Sequence, residues 1–281
     1  MAERTEQRTE HATTAANDPQ DDTRTVPPLT ESQLARYTHL QDTLRALGSA
    51  LVAYSGGVDS GLLLKVAHDT LGERAVGALA SSPAYDEAET QAAVEVAAAI
   101  GVRLERVVTH ELEDPRYVAN AADRCYFCKD ELFTHLEPLA AQLGLAHILY
   151  GMNADDRGDW RPGQRAARER GVRAPLDEVG MTKADIRALA RHLGLPIWDK
   201  PALACYSSRI PYGTPVTVEA LTRIGRAERA LRQLGFRQVR VRHHEQVARI
   251  ELDPADFVRL LDPEPRAAVV AGVRAAGYPY V

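Results

Sequence analysis

Short apolar runs alternate along this chain with longer segments whose apolar residues recur at helical spacing. Thr30-Glu31-Ser32-Gln33 is a capping-box pattern, and Leu34, Tyr37, Leu40, Leu44 and Leu47 behind it predict a helix. Leu51–Tyr54 predicts a strand, and Ser60–Leu71 a helix closed by Gly72. Ala75–Ala80 predicts a second strand. A helix capped at Asp86-Glu87-Ala88-Glu89 then runs to Ile100 and stops at Gly101. Leu104–Val108 and His147–Tyr150 complete four strands, and Thr182-Lys183-Ala184-Asp185 caps a further helix ending at Gly194. Strands and helices joined by short links predict an α/β fold with a doubly wound parallel sheet. Ligands of such sheets sit beyond the C-terminal strand ends. Ser55, Ser81, His110 and Asn153 all fall there.

The pattern changes after Tyr212-Gly213. Thr217–Leu234 reads as a helix, Gln238–His243 and Gln246–Leu252 as a hairpin, then two short helices and a terminal Tyr278–Val281 strand. The expected organisation is a polar, disordered tail over 1–28, a main domain over 29–212 and a small C-terminal α/β domain over 213–281. In the hairpin Val239 and Val241 alternate with Arg240 and Arg242, so the two arginines share one face. That face suits a phosphate, and it equally suits the polar side of a half-exposed sheet. Arg249 and Glu251 alternate in the same way. Residues 161–173 carry five arginines and one glutamate, either a solvated helix face or a grip on an anion.

The net charge of −5 argues against a general nucleic-acid coat. No apolar run approaches the ~18 residues of a membrane span, and no signal-peptide core is present, which reads as cytoplasmic. Three cysteines argue against a disulfide scaffold and for reduced thiols with a task.

The most informative stretch joins the first strand to its helix: Ser55-Gly56-Gly57-Val58-Asp59-Ser60. A tight glycine turn at a helix start offers unpaired amides and the positive end of the helix dipole to a phosphate. Gly56 and Gly57 permit positive φ and close approach. Ser55 and Ser60 supply hydroxyls, and Asp59 can hold Mg²⁺. The Gly-Lys-Ser/Thr ending of a Walker A loop is absent, as is the dinucleotide G-x-G-x-x-G. The stretch resembles the SGGxDS loop of the PP-loop ATP pyrophosphatases, adenine nucleotide alpha hydrolase-like proteins that split ATP between its α and β phosphates.

Cys125-Tyr126-Phe127-Cys128 is a C-x-x-C pair placed before a helix. Zinc, an iron–sulfur cluster, a redox pair or bystander thiols all remain open to it. Zinc would need a histidine such as His110 or His135 besides Cys205, because structural zinc takes four protein ligands. Three thiolates suit a [4Fe–4S] cluster with one open iron. Arg124, Lys129 and Arg209 would favour thiolates if they lie close. Cys205 stands beside Ser208 and Arg209, whose hydroxyl and guanidinium could orient a thiol nucleophile.

Residues 55–60, 124–129, 151–156 (Gly-Met-Asn-Ala-Asp-Asp), 200–205 (Lys-Pro-Ala-Leu-Ala-Cys) and 208–213 (Ser-Arg-Ile-Pro-Tyr-Gly) together resemble the LarE family from about Leu34 onward. LarE proteins are sulfur transferases of nickel-pincer nucleotide synthesis for lactate racemase. The resemblance implies ATP-dependent adenylation of a carboxylate of pyridinium-3,5-biscarboxylic acid mononucleotide, then replacement of AMP by sulfur. It implies ATP and Mg²⁺ as cofactors, with Ser55, Gly56, Gly57, Asp59 and Ser60 at the phosphates and Ala53 and Ala80 near adenine. It implies Arg240 and Arg242 at the substrate phosphate, and Glu228 and Glu251 as outer metal-binding carboxylates. Sulfur comes either from Cys205, left as dehydroalanine, or from a [4Fe–4S] cluster on Cys125, Cys128 and Cys205; the three cysteines match the cluster type. A homo-oligomer, a hexamer, is the family's assembly.

Rival readings are a PP-loop tRNA thiolase, an amidotransferase-type synthetase, and a non-catalytic nucleotide or iron–sulfur carrier. The first calls for a basic surface or zinc-ribbon cysteines. The second calls for an ammonia source and leaves the cysteines unexplained. The third predicts ATP binding without AMP release.

Overall fold

A computed structural model describes residues 26–158, 162–202 and 204–281. Most of the expected tail, residues 1–25, lies outside the described residues; Val26, Pro27 and Pro28 are exposed and irregular.

The first helix, α1 (Glu31–Leu47), starts at a complete Thr30/Gln33 capping box and buries Leu40, Leu44 and Leu47. The main sheet comprises β1 (Ala50–Tyr54), β2 (Ala75–Ser81), β3 (Arg103–Val108) and β4 (His147–Tyr150). All neighbours are parallel, in the order β3-β2-β1-β4. Between them run α2 (Val58–Leu71), α3 (Glu87–Ile100), the short α4 (Pro115–Val118) and α5 (Arg124–Gln142). After β4 come α6 (Pro162–Glu169), the short α7 (Pro175–Glu178) and α8 (Lys183–His192).

Strand alternation sends Val52 and Tyr54 into one core with Leu44 of α1, Leu62 of α2, Ala93 of α3 and Ile186 of α8. It sends Leu51, Val76 and Ala78 into a second core with Phe133 and Leu136 of α5 and Ala167 of α6. Helices therefore cover both sheet faces, and the doubly wound α/β fold expected from the alternation is present. Wholly apolar strands such as β1 follow from burial on both sides.

The C-terminal part holds α9 (Val218–Gln233), β5 (Val239–His244), β6 (Val247–Leu252), a 3₁₀ segment (Pro254–Leu261) and α10 (Pro263–Ala275). Val239 and Val241 of the antiparallel hairpin pack with Leu231, Phe236, Val273 and Tyr278. Arg240 and Arg242 lie on the opposite face, across from Glu251 and Arg249 respectively. The expected terminal strand reduces to one bridge, Val247 to Tyr280. Pro279 has no amide hydrogen to extend a ladder. The helix expected after the C-x-x-C pair in fact begins before it, at Arg124. The pair thus lies in the opening turns of α5.

No helix among the described residues is long and apolar enough to cross a membrane. Phe133 is fully buried where α5 meets the sheet. Phe133→Ala should cost about 3–5 kcal/mol by urea unfolding, the range for emptying a buried aromatic site.

Candidate active site

The turn between β1 and α2 is set by two local features. Gly56 has φ +73°, and a Cβ added there would lie 2.7 Å from the Cβ of Ala93. Ser60 folds back from the first turn of α2, its hydroxyl oxygen accepting from the Ser55 amide at 3.1 Å and lying 3.0 Å from the Ser55 hydroxyl. The same hydroxyl donates to the Gly57 carbonyl at 3.2 Å. Gly57 caps α2 without a side-chain hydrogen bond, which leaves the first amides of the helix without a side-chain cap among the described residues. At the end of β4, a Cβ on Gly151 would meet the Ser60 amide nitrogen at 2.7 Å. Only glycine lets the two crossover loops come this close.

Above the turn lies a cavity of about 580 Å³, within the range of small-molecule sites. Ala53, Ser55, Gly56, Gly57, Asp59 and Ala80 line it, and so do Cys205 and Arg209. The nucleotide candidates and the candidate nucleophile therefore open on one space. Ser60 is buried as the brace of the turn. Ser208 lies behind the Cys205 loop, donating to the Cys205 carbonyl at 2.8 Å and accepting from Arg209.

Lysines that sequence reasoning did not single out as site residues enter this cavity. Lys183 Nζ lies 2.7 and 2.6 Å from the two Asp59 carboxylate oxygens. Lys200 donates to the Gly56 carbonyl at 3.0 Å and pairs with Glu89 at 2.8 Å. The signals were a lysine at the first position of a capped helix and the Lys200-Pro201 step of the irregular 198–205 stretch.

Cys205 precedes a short 3₁₀ turn, Tyr206–Arg209, and its surroundings are tightly bonded. Arg209 is buried, and its guanidinium donates to the carbonyls of Ala204 and Cys205 and pairs with Glu228 at 2.8 Å. Glu228 is fully buried, held by Arg209, Arg232 and the Val241 amide. Glu251 is engaged by Arg242 and Arg249. The two carboxylates are thus neutralised by arginines. Arg242 donates to the Ser208 carbonyl at 2.8 Å, which ties the hairpin to the Cys205 turn, and its Nε is buried without a partner among the described residues. Neither Arg240 nor Arg242 lines the cavity.

Cys128 packs with Cys205 on the cluster around Tyr117 and Tyr206, while Cys125 is exposed. Burial, then the neighbouring Cys205, pushes the Cys128 thiol up to about 12, against the pull of Lys129. Tyr85, 3.9 Å from the Cys128 sulfur, is raised well above its usual value by Cys128 first and then by burial. Arg124 does not face the thiols; it is buried on Asn120 and the Ser207 carbonyl. His110 and His135 meet each other and Glu113 and Glu131. Among the described residues no group of three His, Cys, Asp or Glu side chains is arranged to hold a metal ion. As they stand, the three thiols do not form a cluster cradle.

The arginines of 161–173 divide by partner. Arg170 pairs with Asp130 and Glu137, Arg173 with Glu178, and Arg165 with Glu169 while stacking on Tyr126. These three brace α5, α6 and α7, as a structural face would. Arg161 lies outside the described residues.

A parallel sheet, a serine–glycine turn opening a helix, and a cavity over that turn define an α/β protein with a PP-loop-like fold. The chain is 40% identical over 82% of its length, and 85% of the relative's, to the pyridinium-3,5-bisthiocarboxylic acid mononucleotide synthase of Lactiplantibacillus plantarum. It belongs to that family, LarE. It is also 46% identical to an uncharacterized protein of Synechocystis sp., over 88% of this chain and 92% of the other. A third relative, an uncharacterized protein of Methanocaldococcus jannaschii, is 28% identical over 72% of this chain and 77% of its own length. No protein-family model matches the chain.

Two predictions follow from the charges. Lys183→Met leaves the Asp59 carboxylate unopposed, so Mg²⁺ alone should bind roughly two- to fivefold tighter by calorimetry, the yield of a part-exposed ion pair. Unchanged affinity would show that the pair does not guard this carboxylate. Asp86 is a second case: burial works to raise its carboxyl, but Tyr206, the Ala88 amide and Arg232 outweigh it and hold the group below its ordinary 3.8. A depressed carboxyl stabilises the fold at neutral pH, and that gain is lost as pH falls through and below 3.8. Asp86→Asn should therefore flatten the acid limb of a stability-versus-pH curve.

Proposed function

We propose that the chain is an ATP-dependent sulfur transferase acting on pyridinium-3,5-biscarboxylic acid mononucleotide. Family membership supplies the substrate class, and one observation carries the mechanism: the Ser55–Ser60 turn and Cys205 open on the same cavity. A carboxylate is a poor acyl donor, and adenylation gives it a leaving group. The carboxylate oxygen attacks the α phosphorus of ATP, and pyrophosphate departs against the first amides of α2, Lys183 and Lys200. Asp59 would hold Mg²⁺ at this point, and the ion supplies charge neutralisation for the phosphates. Its carboxylate at the head of α2 fits that task, with Lys183 as the cation to be displaced.

In the second half-reaction the Cys205 sulfur attacks the acyl carbon and AMP leaves, forming a thioester. A base then removes the Cys205 Cα proton. The Cβ–S bond breaks, releasing the thiocarboxylate and leaving dehydroalanine. Arg209 holds the peptide of the nucleophile, and Ser208 braces Arg209. Arg240 and Arg242 are the proposed phosphate ligands of the mononucleotide. Support for them is their shared hairpin face and the link from Arg242 to the Ser208 carbonyl.

A second sulfur source, a [4Fe–4S] cluster on Cys125, Cys128 and Cys205, is favoured by one observation: Cys205 and Cys128 pack against the same apolar cluster, near enough for Cys205 to raise the Cys128 thiol, with Cys125 a turn earlier on α5. Cys125 is exposed, and no three His, Cys, Asp or Glu side chains are gathered for a metal among the described residues, so no step is routed through a cluster. Anaerobic purification with iron and sulfide analysis separates the two. Stoichiometric iron supports the cluster. Iron-free protein that loses the mass of H₂S on turnover supports the sacrificial thiol.

Cys205→Ser should retain pyrophosphate release within about threefold and lose AMP displacement and thiocarboxylate formation by at least ~10³-fold, the scale of removing a nucleophile. Pyrophosphate assay and mass spectrometry of the product read the two steps. Full thiolation by this variant would remove Cys205 from the mechanism.

A further inference from the structure

Arg232 takes no part in the reaction just described, yet it joins the two halves of the molecule at the Cys205 loop. It projects from α9. One terminal nitrogen lies 2.5 Å from Asp86, the N-cap of α3 at the nucleotide cavity, and the other lies 3.0 Å from Glu228. Asp86 also accepts from the Tyr206 hydroxyl at 2.6 Å, and Glu228 holds Arg209 and the Val241 amide between Arg240 and Arg242. From there the chain of contacts converges on one residue. Arg209 binds the carbonyls of Ala204 and Cys205, and the Tyr206 amide donates to Ala84 at 2.8 Å. The backbone on both sides of Cys205 is thus held by groups that Arg232 ties together.

We propose that Arg232 is a positioning residue for sulfur transfer: through its bridge from Asp86 to Glu228 it registers the C-terminal hairpin and the Cys205 turn against the nucleotide cavity. This rests on the sulfur-transferase reading above. The bridge does not touch the Ser55–Ser60 turn, where adenylation is organised, so the two half-reactions depend on it unequally. A small displacement of a nucleophile from its attack position costs rate steeply. The fork matters as well as the charge, because two nitrogens of one planar guanidinium reach two carboxylates at once, and a lysine ammonium is a single point.

Arg232 is about a quarter exposed. Its removal leaves Glu228 paired with Arg209, and Asp86 still accepting from Tyr206, so the fold retains its other ties. The test uses the full chain and the Arg232→Gln and Arg232→Lys variants, with thermal unfolding as the folding control. In single turnovers with ATP and the mononucleotide diacid, both variants should release pyrophosphate within about threefold of the parent. Both should form thiocarboxylate at least tenfold more slowly. A parallel fall in both steps, no fall in either, or full restoration by lysine would overturn the proposal. A second readout needs no substrate: in a Cys125→Ser/Cys128→Ser background, loss of the bridge should raise the rate of Cys205 alkylation by iodoacetamide several-fold. If the parent releases no pyrophosphate with the diacid, the functional reading fails, and alkylation alone decides the bridge: an unchanged rate overturns it.

Discussion

The geometry of this site depends on the closure of one turn. Ser60 reaches back over Gly57 to Ser55, and Gly56 takes a backbone conformation that a side chain would strain. Those few contacts aim the start of α2 at open space instead of at protein. The close passage of Gly151 then brings the end of β4 against the same helix turn. The strands themselves are rigid because both faces of the sheet are packed, so the turn sits on a frame that does not yield. An anion site made of backbone needs that rigidity, since its donors cannot adjust as side chains do.

Charge in the cavity is arranged in pairs that are easily exchanged. Lys183 on Asp59 and Lys200 on Glu89 are part-exposed pairs beside the Ser55–Ser60 turn. Such pairs contribute little to stability, so an incoming phosphate or cation can replace either partner at small cost. The pairs around Cys205 are of another kind. Arg209 and Glu228 are buried, and breaking one partner would strand a charge. The end at the Ser55–Ser60 turn holds exchangeable pairs and the thiol end buried ones, a division that suits the proposed reaction, in which phosphates leave while a sulfur must hold its place.

Much of the frame was legible in the sequence. Capping boxes at Thr30 and Thr182 and glycine stops at Gly72 and Gly101 mark real helix ends. Period-two alternation at Val239–Arg242 gives the correct faces of the hairpin. The Ser55–Ser60 stretch declared its turn because its chemistry is local. Pairings between distant segments were not legible. Nothing near Asp59 announces Lys183, and nothing near Glu228 announces that Arg209 and Arg232 would pair with it. The helix around Cys125 was misplaced because its start rests on the Ala121–Arg124 turn and on packing, with no side-chain cap to signal it. The terminal strand failed for the opposite reason: an apolar pattern was present, but Pro279 withholds the donor that a ladder requires.

The proposed reaction requires ATP to lodge its phosphates at the head of α2 with the α phosphate turned toward Cys205. A crystal structure with a non-hydrolysable ATP analogue and Mg²⁺ tests this most directly. Phosphate oxygens should lie within hydrogen-bonding distance of the amides after Gly56, with Lys183 moved off Asp59. Nucleotide bound elsewhere, or phosphates in the cavity with the Lys183–Asp59 pair intact and Cys205 turned away, would contradict it.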